Sequence, residues 1–300
     1  MRLLQLGVTL YQTWARVAPR VRGRGAVLRA VDALQRAGLR APLVTDRSGA
    51  RFELGRDYVI RDVLFTRAWA AESTALLQSL TPRGGVFCDV GANVGYFSVL
   101  ASQWVGSEGR VVAFEPGSET FARLSRNVAV NRGENITLLR QGCAAQVGRA
   151  QLVATTDPGH AYVAPVGITP GEATAAFEPG RPEPIELTTV DAAVQAHRLT
   201  RMDVLKIDTE GHDFDVLRGA AQTLQTLRPA VLLEVVLLER SGASAGDVEA
   251  YLSQFDYVCR LIMPRAEDML CLPQERADGA GYAVTTQGSV ERPRADAPIA

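Results

Sequence analysis

Between Gly84 and Arg140 the chain alternates apolar and amphipathic runs in regular succession, and this stretch constrains the fold more than any other. Residues 86–90 read as a buried strand that ends in a glycine-containing loop. Residues 96–104 read as a helix, 110–114 as a second strand and 136–140 as a third. Between the last two lies a helix over 118–130 with Phe121, Leu124 and Val128 on one face. A β-α-β-α-β succession of this kind predicts parallel strands joined by right-handed crossovers. The alternation resumes later, with strands over 185–189, 204–207 and 230–235 and helices over 190–197, 214–227 and 248–255. Two closing strands follow, over 257–262 and 269–272. The expected fold class is α/β, Rossmann-like, with a mostly parallel central sheet flanked by helices.

The remaining segments read as additions to that core. Residues 1–68 form an N-terminal extension, 69–273 the main domain, and 274–300 a polar, disordered tail. Within the extension, residues 1–40 carry eight arginines against one acid, and Leu3, Leu6, Leu10, Trp14 and Val17 recur on one helical face. That helix covers the domain core or, alternatively, rests as a basic helix on a membrane surface or docks a partner. Residues 50–67 alternate apolar and polar (Phe52, Leu54, Val59, Ile60, Val63, Phe65) and read as short strands, and residues 69–80 as a helix. Residues 157–184, rich in Pro, Gly, Ala and Thr, read as an insertion loop.

Composition excludes several classes. A formal net charge of −1 argues against nucleic acid as the main partner. The absence of a run of about 18 apolar residues argues against a transmembrane helix. The four cysteines form no CxxC pair and read as free, mostly buried thiols in a reduced, cytoplasmic compartment.

Two runs carry chemistry. The first is Val86-Phe-Cys-Asp89-Val-Gly91-Ala-Asn93-Val-Gly95, after which the next strand ends in Glu115. Glycines at the turn let a ligand approach the backbone, and an acid at the tip of the second strand suits the two hydroxyls of a ribose. Asn93 stands where a dinucleotide fingerprint has its second glycine, which disfavours a pyrophosphate. A nucleoside without phosphates fits better, and S-adenosylmethionine is such a ligand. Asp89 would orient the loop or meet the amino-acid end of that ligand.

The second run, residues 202–212, is Met-Asp-Val-Leu-Lys-Ile-Asp-Thr-Glu-Gly-His. It places Lys206 inside a short strand and Asp208 and Glu210 at its C-terminal end. Of 32 basic residues Lys206 is the single lysine, which suggests a position needing a compact ammonium. Lys206 and Asp208, two apart, share a strand face. A carboxylate, His or Lys so placed can take a proton from a hydroxyl during methyl transfer. His212 is a weaker candidate for the same role, and His160 and His197 have no partners in sequence. Asp213 and Asp215 suit the first turn of the following helix. Asp208, Glu210 and His212 could hold a divalent metal, but no His/Cys spacing demands one, and the leading reading has none.

Together FCDVGANVGYFS, VVAFEP, LKIDTEGHDFDVLRGA and PAVLLEV resemble the FkbM family of methyltransferases over roughly residues 70–260. The resemblance implies a class I Rossmann-like methyltransferase fold that uses S-adenosylmethionine to methylate a hydroxyl on a small molecule, a natural product or sugar. It implies that Asp89, Gly91, Asn93, Gly95 and Glu115 line the cofactor, with Ala144 on the adenine side. Lys206, Asp208 and Glu210 would face the methyl-transfer site, and Glu72 falls where the family often carries an acid. The arginine-rich N-terminus and the tail depart from the family core. A cofactor-binding protein of the same fold without catalysis is the competing reading.

Overall fold

The computed structural model describes residues 41–55, 57–154, 161–164, 182–262 and 267–279, together with positions 5, 8, 9, 12, 29, 33 and 37. The basic amphipathic helix expected over residues 1–40, most of the 157–184 insertion and the tail beyond 279 lie outside the described residues.

A short antiparallel hairpin, β1 (Leu43–Thr45) and β2 (Arg51–Glu53), leads into helices α1 (Tyr58–Thr66) and α2 (Ala71–Leu80). The central unit follows as β3 (Val86–Val90), α3 (Tyr96–Val105), β4 (Arg110–Phe114), α4 (Ser118–Val130) and β5 (Ile136–Leu139). Next come β6 (Gly142–Cys143), β7 (Gly148–Ala154), β8 (Ala161–Ala164), β9 (Glu183–Thr188), α5 (Val190–Ala196) and β10 (Val204–Ile207). The chain continues through α6 (Asp213–Arg218), α7 (Ala221–Thr226), β11 (Ala230–Glu234), α8 (Ala245–Ser253), β12 (Tyr257–Leu261), β13 (Asp268–Pro273) and α9 (Gln274–Gly279).

Seven strands form the central sheet in the order β12-β13-β11-β10-β3-β4-β5. The run from β11 to β5 is parallel, and β13 lies antiparallel between β11 and β12. From β3 the chain winds outward through β4 and β5, then returns to build β10 and β11 on the other side. The order therefore reverses between β3 and β10, and in such sheets ligands bind outside the strand ends at that reversal.

Alternation along the strands divides the core. Val86, Cys88 and Val90 of β3 join Leu205 and Ile207 of β10 beneath α5 to α8. Phe87 and Val204 face the opposite side with Ala101 and Val105 of α3 and Leu76 and Leu77 of α2. Asp89 and Lys206 continue this second face toward the strand tips, so two charged side chains stand where the strand pattern would put apolar ones.

Several elements differ from the sequence expectation. Residues 58–66 are a helix, not strands: Val59, Ile60, Val63 and Leu64 are buried at helical spacing, and the Asp57 side chain caps the start by accepting from Ile60 N at 2.8 Å. The helix expected over 214–227 is broken into α6 and α7 around Gly219 and Ala220. Gly219 is pressed against the Ala144 carbonyl, and Asp191 accepts from the Gln222 and Thr223 amides at the start of α7. The insertion is partly built: β8 pairs antiparallel with β7, and β7 with β9, in a second sheet of order β6-β9-β7-β8. The first residues of the expected tail form α9.

The thiol reading also needs correction. Cys259 and Cys271 lie directly opposite on antiparallel β12 and β13, with Cα atoms 4.0 Å apart, and are joined by a disulfide. Cys88 and Cys143 remain free and buried. Among the described residues no helix is long and apolar enough to cross a membrane.

Candidate active site

The tips of β3 and β10 open into one cleft, which encloses about 1010 Å³ of space continuous with solvent. Backbone hydrogen bonds fasten the loop after β3 to the tip of β4, and the tip of β10 to β3. Gly91 N and Ala92 N both donate to Phe114 O, at 3.1 and 2.8 Å, and Asp208 N donates to Val90 O at 3.0 Å. Gly91 has φ 77°, and an ideal Cβ there would fall on the carbonyl oxygen of Asp208. Glycine at 91 thus serves the meeting of two loops more than the approach of a ligand.

Of the residues expected around a nucleoside, Gly91, Asn93 and Glu115 line the cleft. Asn93 adopts the left-handed region at φ 50°, and its amide donates to Glu115 Oε2 at 3.0 Å. The Gly117 amide donates to the other oxygen at 3.0 Å. Burial nonetheless raises the Glu115 carboxyl to about 7, against the pull of these two bonds. Glu115 therefore stands at the tip of β4 as expected, oriented by backbone donors.

Asp89, Gly95 and Ala144 are not brought to the cleft surface. Asp89 is fully buried beneath the loop, where Oδ2 accepts from Ser98 Oγ at 2.6 Å and Oδ1 lies 3.1 Å from Lys206 Nζ. Its geometry is that of a loop-orienting group. Gly95 packs against Leu124 of α4. Ala144 closes β6 against β9, its amide donating to Thr188 O, and the cleft is lined instead by the preceding Gln141, Gly142 and Cys143.

Lys206 unites the two runs. It is paired in register with Asp89 across β10 and β3, a relation that depends on the order of non-consecutive strands and so cannot be read from spacing. Its ammonium lies 3.1 Å from Asp89, 3.4 Å from Asp208 Oδ2 and 3.3 Å from Gly91 O, and 5.2 Å from the centre of the Phe97 ring. Burial by itself would lower this group, but the two carboxylates more than offset it and hold the ammonium above the ordinary lysine range.

Asp208 is half-exposed at the cleft mouth, while Glu210 is more enclosed, with φ 58°. Arg240 donates to the Glu210 carbonyl at 3.3 Å and lies 3.7 Å from its carboxylate. Asp213 shapes the loop from below: it accepts from the amides of Thr209 and Gly211 at 3.1 and 3.2 Å, and burial raises its carboxyl to about 6. His212 lines the cleft and reaches toward Asp215 at 3.9 Å.

Sequence reasoning missed the aromatic wall. Tyr58, Trp69 and Phe97 line the cleft, with Tyr58 and Trp69 edge to face at a centroid distance of 4.9 Å. Tyr58 opens α1, whose cap Asp57 is fully buried and paired with Arg123 at 2.6 Å. The Asp57 cap was the available signal for this helix. Among the described residues, no group of three or more His, Cys, Asp or Glu side chains is arranged to hold a metal ion.

A doubly wound sheet with an antiparallel strand inserted beside β11, and a cleft at its reversal point between a glycine loop and an acid-tipped strand, is the architecture of class I methyltransferases. A model of the methyltransferase FkbM domain matches residues 89–259, more than half of the chain, and the chain belongs to that family of methyltransferases. It is 28% identical over 233 residues to the hexuronic acid methyltransferase AglP of Haloferax volcanii, covering 76% of this chain and 87% of that protein. It is 26% identical over 174 residues to methyltransferase sdnD of Sordaria araneosa, covering 51% of this chain and 67% of that one. Among solved structures, it is similar to a methyltransferase FkbM from Methylobacillus flagellatus at 15% identity and TM-score 0.43, covering 72% of this chain and 53% of the other.

Proposed function

We propose that this chain transfers the methyl group of S-adenosylmethionine to a hydroxyl oxygen of a small acceptor, a sugar or natural product. One observation carries the reading: the glycine loop with Glu115 and the Lys206-to-Glu210 run, far apart in sequence, form walls of one cleft.

The cleft's donor set fits the cofactor. Glu115 stands fixed on the wall with lone pairs left to accept from a ribose diol. Phe114, Pro116, Cys143 and Leu152 supply apolar surface for an adenine. Gly91, Asn93 and Asp208 line the same cleft, where a charged amino-acid end would lie. When bound, S-adenosylmethionine supplies a methyl group activated by its positive sulfur.

The chain's own residues then have two tasks, to position the acceptor oxygen and to accept its proton. Lys206 is a poor base, because its ammonium is held protonated by Asp89 and Asp208. It acts instead to fix Asp208, whose carboxylate would accept the proton of an acceptor hydroxyl placed at the cleft mouth. Glu210, clamped by Arg240, orients the acceptor.

The test is labelled methyl transfer from S-adenosylmethionine to an acceptor in an extract of the source cell. Asp208→Asn should lower turnover by roughly 100-fold or more while S-adenosylhomocysteine still binds. Unchanged turnover in Asp208→Asn would overturn the assignment of the base. Failure of the wild type to bind S-adenosylhomocysteine would overturn the cofactor.

A further inference from the structure

A second, larger hollow adjoins the cleft, enclosing about 1890 Å³ of space open to solvent. Tyr58, Trp69, Phe97, Lys206 and Asp208 line both, so the two meet at the Lys206–Asp208 pair. Its floor is the tips of β10, β11 and β13, where Asp208, Glu234 and Asp268 stand on adjacent strands. Glu234 Oε2 is buried without a hydrogen-bond partner among the described residues. Asp268 accepts from Ser73 Oγ at 2.6 Å.

The charge of this hollow is one-sided. Among the described residues that line it, six are acids and two are basic, and one of the two, Lys206, is already paired with Asp89 and Asp208. Burial, followed by the negative charge of Asp208, Asp213, Glu210 and Asp268, raises the Glu234 carboxyl to about 8, the response of a group in an already negative field. Among the described lining residues the second cation, Arg47, is exposed at the rim and donates to Thr66 O at 3.4 Å, so an anion entering here meets mostly like charge, whereas hydroxyls can donate to the carboxylates and an ammonium is drawn in. The Tyr58 and Trp69 rings add apolar and π surface for one face of a sugar ring.

We propose that this hollow receives the acceptor, and that its carboxylate wall selects an uncharged or amine-bearing hydroxylated molecule over an anionic one. The inference rests on the methyl-transfer reading above. It separates this chain from its relative named for hexuronic acid, whose acceptor carries a carboxylate.

The experiment is calorimetric titration of the full chain, saturated with S-adenosylhomocysteine, with three glycosides of one aglycone: methyl glucoside, methyl glucosaminide and methyl glucuronide. The glucosaminide and glucoside should bind at least about tenfold tighter than the glucuronide, with the gap widening as salt is lowered. Glu72→Gln and Glu267→Gln, at exposed positions on the rim, should narrow the gap without unfolding the chain. A glucuronide that binds as well as the others, or no binding by any of the three, overturns the proposal. Failure of S-adenosylhomocysteine itself to bind overturns the cofactor reading instead.

Discussion

Replacing Gly91 by alanine tests the junction on which the site depends. Two separate costs arise there. The backbone is left-handed, φ 77°, which costs an L-residue about 1–2 kcal/mol. The added methyl also collides with the Asp208 carbonyl, a backbone atom that cannot swing aside as a side-chain tip can. Overpacking of this kind costs about 1–3 kcal/mol. The sum is about 2–5 kcal/mol, relieved only by parting the two loops. Gly242 separates the terms: its φ is 74°, and an added Cβ would have no heavy atom within 4 Å. Gly242→Ala should therefore show the conformational cost alone. Urea denaturation of both variants, with titration of S-adenosylhomocysteine, makes the comparison. Gly91→Ala should lose more stability and at least tenfold in nucleoside affinity, about 1.4 kcal/mol, while Gly242→Ala binds normally. Equal losses in the two variants, with nucleoside binding intact in both, would refute the argument that Gly91 joins the strand tips.

Three further outcomes follow. Glu115 keeps a proton in the folded chain that the unfolded chain releases, since burial raises it from 4.5 to about 7; stability should therefore decline as pH rises from about 4.5 to 7, by up to about 3 kcal/mol, and Glu115→Gln should flatten that part of the curve. Lys206→Met leaves Asp89 buried without its counter-charge and should cost about 3–5 kcal/mol in chemical denaturation, much of it recovered by adding Asp89→Asn. Cys259→Ser opens a cross-link between residues 12 apart in sequence and should cost up to about 3 kcal/mol; alkylation of the denatured, unreduced wild type should label two cysteines, and labelling of four would contradict the disulfide.

The parallel core was legible because its signals are local. Val86–Val90 and Arg110–Phe114 are near-continuous apolar runs, as strands buried on both faces must be, and the helix that follows them, Ser118–Val130, buries Leu124 and Val128 on one face. The misread elements are those in which local propensity and tertiary context disagree. Tyr58–Thr66 is rich in β-branched and aromatic residues, yet the Asp57 cap and the demand for one buried face make it a helix. The break between α6 and α7 comes from the contact of Gly219 with Ala144, two segments distant in sequence. The Cys259–Cys271 bridge depends on the register of a hairpin, which cysteine spacing does not encode. In the site, Glu115 and the strand-end acids were readable from motif position. The aromatic wall was not, since Tyr58 comes from the N-terminal extension and Trp69 from the first residue of the main domain, and both reach the cleft only through folding.

The single lysine shows how motifs far apart become one device. Lys206 belongs to the second run by sequence, but most of its partners belong to the first: Asp89, the Gly91 carbonyl and the Phe97 ring. An ammonium is a compact charge with three donors, and it can address two carboxylates and a carbonyl within one small volume. A planar guanidinium would extend past that volume toward the cleft. In a chain that otherwise uses arginine, lysine at 206 is thus set by the space between adjacent strands at the reversal point of the sheet. Because Asp208 faces both hollows while its counter-charge is shared with Asp89 under the glycine loop, a change on one wall alters the electrostatics of the other. The glycine loop and the carboxylate wall are in this sense a single charged unit, held at the seam between β3 and β10.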